Sequence, residues 1–320
     1  MIVFMDKKVT VIMPCYNQAA YARESIESVL NQTYKNLELL LIDNFSTDGT
    51  CEIIKEYAKK DSRVHAIYHE KNMGFEYSFN EGMEKATGEF ISFTSSDDYW
   101  YPKKIEKQLD VLEKNPEYDV VHTDAQIIDG QGKKCKMTMR EYYYLEPKKA
   151  TGDIFRTLSK KNICCCSSMF FRRKCLETYS KFDPVFKIVH DWWFNIKLSQ
   201  KHKFFYIPGV LVDYRIHSTN TSKNKEALMN DYIEIHSRLA KMTHEQQSHY
   251  MAIATSAARI GKNYMAREAI KKAENAGRMS MQNKLIAFII TKFDNCGKML
   301  EMMNEPKHWF LGIRYKVLKV

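Results

Sequence analysis

Four short apolar runs, each closed by a polar loop and followed by helical spacing, constrain this chain more than any other feature. Val9 to Met13 is the first, stopped by Pro14. Leu37 to Ile42, Val64 to Tyr68 and the run through Phe90, Ile91 and Phe93 follow it. Between them, Ala22, Ile26, Val29 and Leu30 share one helical face, as do Ile53, Ile54, Tyr57 and Ala58. Apolar runs of this length, joined by short loops to amphipathic helices, read as parallel strands in right-handed βαβ units. The expected fold class is therefore α/β, with a mostly parallel central sheet flanked by helices.

In such a sheet the loops after successive strands meet at the carboxyl edge, where ligands bind. Here they carry Pro14-Cys15-Tyr16-Asn17, Asp43, Lys71-Asn72 and Asp97-Asp98. That set suits a nucleotide. Asp43 can accept from a base N–H, backbone groups around Cys15 to Asn17 can frame the ring, and Lys71 or Asn72 can reach base or ribose. Each residue alone reads as a cap or turn residue; their recurrence at strand ends is what favours a site. The adjacent carboxylates of Asp97 and Asp98 repel each other and are best tolerated beside a hard cation, Mg²⁺ or Mn²⁺. The plainer reading of that pair is a solvated turn ahead of the helix that Pro102 opens near Lys103. No GxxxxGK[ST] or GxGxxG occurs, which argues against P-loop and dinucleotide-binding folds.

Farther on, a helix is expected over 103–114, a strand over Asp119 to Thr123, and a hairpin turn at Asp129-Gly130-Gln131-Gly132. Residues 136–165 have no clean period. Ser167 to Phe171 reads as a strand, Lys187 to Lys201 as a helix, and Phe204 to Gly209 and Val210 to Tyr214 as two short strands. The character changes near Ser222, after which helices alone are expected, at 226–242, 246–260 and 264–276. This gives two parts, residues 1–222 and a helical region, 223–320.

The formal net charge of +10 favours anionic partners. A basic nucleic-acid-binding protein is the non-enzymatic alternative. Its Lys and Arg are spread rather than striped, however, and no nucleic-acid-binding module is recognisable, so no nucleic acid is expected. Eight cysteines include the run Cys164-Cys165-Cys166 and form no CxxC pair, which speaks for a reducing cytosol and against a zinc ribbon. No signal-peptide layout is visible, and Leu285 to Ile290 is too short to span a bilayer. A cytoplasmic protein is expected. Its tail, with Trp309, Phe310, Arg314, Tyr315, Lys316 and Lys319, suits either peripheral contact with the inner face of the plasma membrane or packing on the chain itself.

Several stretches together resemble the inverting family 2 glycosyltransferases, of GT-A fold. They are Pro14 to Asn17, Ser25 to Tyr34, Glu38 to Asp43, Ser46 to Thr50, Asn72-x-Gly74, Ala86 to Ile91, and Asp97-Asp98-x-Trp100-x-Pro102. His190-Asp191-Trp192-Trp193 and Pro208 with Tyr214-Arg215-Ile216-His217 extend the resemblance, which covers about residues 8–218. The resemblance implies transfer of a sugar from a nucleotide-sugar donor, UDP-linked first of all. The acceptor would be a glycan or lipid-linked saccharide, in surface polysaccharide synthesis. It implies Asp43 at the base, Asp97 and Asp98 at ribose, diphosphate and metal, and Asp191 as catalytic base. His217 is a candidate metal or phosphate contact beside Asp98. His190, Trp192 and Trp193 are candidates for the acceptor side, with core burial the alternative for the tryptophans. The chain departs from the family pattern with Asn44, Ser95 and His190 where acidic residues are frequent, and Phe79 where Arg is usual.

Overall fold

The computed structural model describes residues 7–143 and 146–292, with Gly297 and Leu300. The chain divides into two compact units. One runs through Pro184 and resumes from His190 to His217; the other comprises Val185–Val189 and the chain from Ser218.

The first unit begins with β1 (Val9–Cys15), α1 (Ala19–Leu30), β2 (Leu37–Asp43), α2 (Thr50–Lys60), β3 (Val64–Tyr68), α3 (Phe75–Lys85) and β4 (Phe90–Phe93). It continues with β5 (Tyr99–Trp100), α4 (Lys104–Lys114), β6 (Val120–Asp129), β7 (Lys134–Thr138), α5 (Met139–Tyr143), α6 (Phe155–Leu158), β8 (Phe170–Arg172), α7 (His190–Ser199) and β9 (Phe204–Ile216). The strands form one mixed sheet in the order β3-β2-β1-β4-β8-β6-β9-β5, with β7 hairpinned onto β6. The stretch β3-β2-β1-β4 is parallel throughout, and β8 turns the direction by pairing antiparallel with β4 and β6.

Why these elements form follows from burial. Every residue of β1 and β2 is buried, as expected for strands covered by helices on both faces. Helix α1 buries Ala22, Ile26, Val29 and Leu30 against the same core as Ile54 and Tyr57 of α2. A second cluster is aromatic: Phe79 sits within 4.9–5.1 Å, ring to ring, of Phe75, Phe93 and Phe182. Phe79, at the position where the family usually carries Arg, is thus a core residue.

Three expectations change. Pro14 is not in the loop: β1 runs on through Cys15, with Pro14 opposite Ile42 and Cys15 opposite Asp43. Pairing with β4 stops at Ile12, so beyond it β1 has one neighbour and is locally an edge, where Pro is tolerated. Tyr99 and Trp100 form a short strand, antiparallel to Asp213 and Val212, between the acidic pair and α4. The two strands expected at 204–214 are one, β9, whose register against β6 shifts where Pro208 and Gly209 are skipped.

The second unit carries α8 (Lys225–Met242), α9 (Gln246–Arg259), α10 (Asn263–Asn275) and α11 (Met281–Lys292). Within it, one carboxylate oxygen of Asp231 accepts from the backbone N–H groups of Lys187, Ile188 and Val189 at 2.6–3.1 Å. Among the described residues no helix is long and apolar enough to cross a membrane. The run from Leu285 to Ile290 lies in α11. The tail residues Trp309 to Lys319 lie outside the described residues.

Two polar contacts lock the start of the sheet. Gly88 leaves no room for a side chain: an added Cβ would stand 2.6 Å from the Thr10 backbone nitrogen and 2.8 Å from the Lys8 carbonyl oxygen. The Gly88→Ala variant is therefore expected to lose about 1–3 kcal/mol of stability, and an unchanged urea midpoint would contradict this. Buried Glu38 accepts from Thr10 Oγ1 and from the Thr87 amide and hydroxyl, and pairs with Lys8. Burial pushes its pKa up, but Lys8, Thr10 and Thr87 outweigh that and hold it down at about 2. Its contribution is present above the unfolded-chain pKa of about 4.3 and is lost as pH falls towards the folded value. Stability of the parent between those pH values should fall more steeply than that of Glu38→Gln; parallel pH profiles would refute this.

Candidate active site

The carboxyl edge of β1, β2 and β4 gathers the acidic loops around one thiol. Cys15, ending β1, lies in the electrostatic field of both Asp43 and Asp97. Burial, outweighing a hydrogen bond with Ser96, pushes its thiol up to about 12. Asp43 is 3% exposed. Its Oδ2 accepts from the Ser46 amide at 3.3 Å, while its Oδ1 has no hydrogen-bond partner. A buried carboxylate oxygen without a donor is costly, so this atom is poised to accept from something that enters the site.

The neighbouring loops are held by amide side chains. Asn17 Oδ1 accepts from the Thr47 amide at 2.8 Å and the Asn17 N–H donates to Ser46 Oγ. Asn44 Oδ1 accepts from the Met73 amide and faces His69 Nδ1, and its Nδ2 donates to Asn72 Oδ1. Asn72 Oδ1 also accepts from the Gly74 amide. Of the nucleotide-side candidates, Asn17 and Asn72 thus have their carbonyl oxygens committed to loop structure. Lys71 and Tyr16 are exposed, and Pro14 is buried inside the strand.

The two adjacent carboxylates do different things. Asp98 is buried, with one oxygen accepting from Ser167 Oγ and the other from the Arg215 amide at 3.0 Å. Burial, with the Asp97 carboxylate beside it, pushes Asp98 well above the usual carboxylate range. Asp97 instead turns its Oδ2 to His217 Nε2, 2.9 Å away. Of the two carboxylates, it is thus Asp97 that His217 contacts. Arg215 supports this arrangement: its Nε donates to the Asp97 carbonyl and its Nη2 pairs with Glu24 at 2.6 Å. The Tyr21 ring lies 4.7 Å from the His217 ring, centroid to centroid.

No group of three or more His, Cys, Asp or Glu arranged to hold a metal occurs among the described residues. A carboxylate and an imidazole 2.9 Å apart nonetheless fit a divalent ion that takes its other ligands from phosphate and water. Both oxygens of Asp98 accept hydrogen bonds from within the protein.

Asp191 opens α7. Its Oδ2 accepts from Asn162 Nδ2 at 3.3 Å, and its Oδ1 accepts from the Trp192 amide at 2.8 Å. Burial pushes its carboxyl up to about 6, against those two hydrogen bonds. The connection to the acidic pair runs through residues 162–167. Cys165 and Cys166 lie in the field of both Asp98 and Asp191, and Ser167 Oγ touches Asp98 and accepts from the Ser95 amide. Asp191 and Asp98 thus flank one short segment.

The acceptor-side candidates come out differently. Trp192 and Trp193 are both buried, and Trp192 Nε1 donates to the Leu158 carbonyl at 2.7 Å. Both rings lie in the core, because α7 is buried on nearly every side. His190 is buried among Phe75, Phe79 and Phe182, and burial lowers its pKa to about 4. Sequence reasoning missed Ser167 and Asn162, both in or beside a stretch without periodicity. Arg215 enters there only within the stretch Tyr214 to His217. Arg215 and His217 stand two residues apart at the end of β9, the spacing that puts side chains on one face of a strand, and this was a usable signal.

Comparisons with known proteins bear on the family and the fold. A profile described as Glycosyl transferase family 2 matches residues 10–180. Glycosyltransferase MJ1057 of Methanocaldococcus jannaschii is 33% identical over 216 residues, covering 66% of this chain and 72% of its own length. TuaG of Bacillus subtilis, named for teichuronic acid biosynthesis, is 40% identical over 104 residues, 32% of this chain and 41% of TuaG. A Rickettsia bellii glycosyltransferase is matched over 19% of its length, so this chain spans only part of several relatives. Residues 1–349 of S. aureus TarS, solved with UDP-GlcNAc, superpose with a TM-score of 0.67 at 17% identity, covering 95% of this chain and 92% of that one. The mannosyltransferase PcManGT of Pyrobaculum calidifontis, solved with GDP-Man and Mn²⁺, gives 0.61 at 18% identity, covering 98% and 85%. These likenesses show the GT-A fold. With a profile over more than half its length and a relative matched over about two thirds of both chains, this chain belongs to glycosyl transferase family 2.

Proposed function

We propose that this chain transfers a sugar from a nucleoside-diphosphate sugar to a hydroxyl of a glycan or lipid-linked saccharide, with inversion, in surface polysaccharide synthesis. The observation that carries the reading is a carboxylate–imidazole pair, Asp97 and His217, next to Asp98, which shares the segment 162–167 with an aspartate raised to about 6. UDP-GlcNAc in TarS and GDP-Man in PcManGT support the donor class, and the name of TuaG supports the biosynthetic setting. A UDP-linked sugar is the first donor to try.

The chemistry asks three things of the residues. The donor must be held by its nucleotide; the free buried oxygen of Asp43 accepts from a base N–H. The acceptor hydroxyl must lose its proton as it attacks; Asp191, kept in orientation by Asn162 and the Trp192 amide, takes that proton. The nucleoside diphosphate must leave with its charge offset. Asp97 and His217 would hold a divalent ion, Mn²⁺ as in PcManGT or Mg²⁺, and the bound ion supplies that positive charge. A single displacement requires no nucleophile from the protein. The cysteines at the site, Cys15 and Cys164 to Cys166, are pushed up by burial and stay as thiols.

Two outcomes follow. Asp191→Asn should bind the donor as the parent does yet lose transfer by a factor on the order of 10²–10⁴. In the parent, the rate should rise with pH up to about 6 and level off above it, because only ionised Asp191 accepts a proton. Transfer at the parental rate in the variant, or a rate that falls as pH rises through that value, would remove Asp191 as base. Separately, Asp97→Asn or His217→Ala should abolish the gain in nucleoside-diphosphate affinity that Mn²⁺ gives the parent. Calorimetry showing the same Mn²⁺ effect in these variants would refute the ligand pair.

A further inference from the structure

Two non-glycine residues among the described ones have left-handed backbone, Asn17 at φ 52° and Phe45 at φ 68°. Asparagine is suited to that region, because its short side chain bonds locally. Asn17 does so through the Thr47 amide. Phe45 has no such compensation: a bulky aromatic at positive φ is a steric outlier that glycine would relieve. Nor does burial repay it, since Phe45 is 48% exposed. Strain that the fold does not need points to function.

The surroundings of Phe45 say which function. Its neighbours on both sides are fixed. Asn44 is held by Met73, His69 and Asn72. Ser46 donates its amide to Asp43 and accepts at its hydroxyl from the Asn17 amide. Phe45 therefore stands at the tip of a turn closed by the same carboxylate whose other oxygen is buried and free. On the loop stitched to this turn, Tyr16 is also exposed, at 41%. Two exposed aromatic residues thus stand on the two loops that adjoin one unpartnered acceptor. A planar heterocycle with an edge N–H matches that combination: the carboxylate takes the edge and a ring takes the face.

We infer that Phe45 is a binding residue for the donor, its ring stacking on the nucleobase. The strained turn is kept because it presents that ring. This rests on the reading of the sheet edge as a nucleotide-sugar site. Phe45 acts on affinity for the base, not on the diphosphate and not on the chemical step.

The test uses the full chain and two probes, UDP (or GDP, whichever the parent binds) and inorganic pyrophosphate, each with Mn²⁺. Phe45→Gly should weaken nucleotide binding about tenfold, the scale of one lost base–aromatic stack, while pyrophosphate affinity stays at the parental value. Its melting temperature should equal or exceed the parent's, because glycine adopts this backbone without strain. Phe45→Leu, which keeps bulk without a π-face, should weaken the nucleotide likewise, and Phe45→Tyr should bind it as the parent does. Parental nucleotide affinity in Phe45→Gly overturns the inference while leaving the donor site intact. Equal weakening of nucleotide and pyrophosphate also overturns it, since that would be a loss of loop structure. A parent that binds neither UDP nor GDP overturns the donor reading and this inference together.

Discussion

The buried carboxylate of Asp98 is the contact on which the site depends. It accepts from Ser167 and from the backbone of Arg215, and so joins three segments far apart in sequence. These are the loop after β4, the segment before β8, and the end of β9. Leaving either donor unmade would strand a carboxylate in a dry interior, which costs more than an ordinary hydrogen bond contributes. The geometry of Asp97, His217 and Arg215 follows from this tie. With β9 pinned to the loop, Arg215 reaches the Asp97 carbonyl, and two residues later His217 reaches the Asp97 carboxylate.

The same tie explains why neighbouring carboxylates differ. Asp98 is inside and pushed up by burial and by Asp97. Asp97 faces a partner that can share a cation with it. One aspartate ties three segments together and the other contacts His217. Asp191 is joined to this arrangement through residues 162–167, where the buried Cys165 and Cys166 lie in the field of both carboxylates.

Much of this was legible in the sequence, for identifiable reasons. The four βα units declare themselves by period and by polar strand ends, so Asp43 and the acidic pair could be assigned to one edge. Glu38, Thr87 and Gly88 fall in stretches that carry the family resemblance, while their part in locking β1, β2 and β4 together shows only in three dimensions. What was not legible came from long-range pairing. Nothing local distinguishes Asp97 from Asp98; only the position of β9 decides which one meets His217. Tyr99 and Trp100 are too short a strand to announce themselves, and the bulge at Pro208 and Gly209 reads locally as a break. The tryptophans after Asp191 look like sugar platforms in sequence, yet the helix turns them into the core. Ser167 and Asn162 gave no periodic signal, since each acts through side-chain hydrogen bonds rather than through packing on one face.

The central claim is that the carboxyl edge of this sheet holds a nucleoside-diphosphate sugar. A thermal-shift and hydrolysis screen of nucleotide sugars, run on the full chain with Mn²⁺ and again with a chelator, tests it most directly. The account predicts that one nucleotide sugar raises the melting temperature and is slowly hydrolysed, with both effects weakened by the chelator. A screen in which no nucleotide sugar stabilises the protein, with or without the ion, would contradict it.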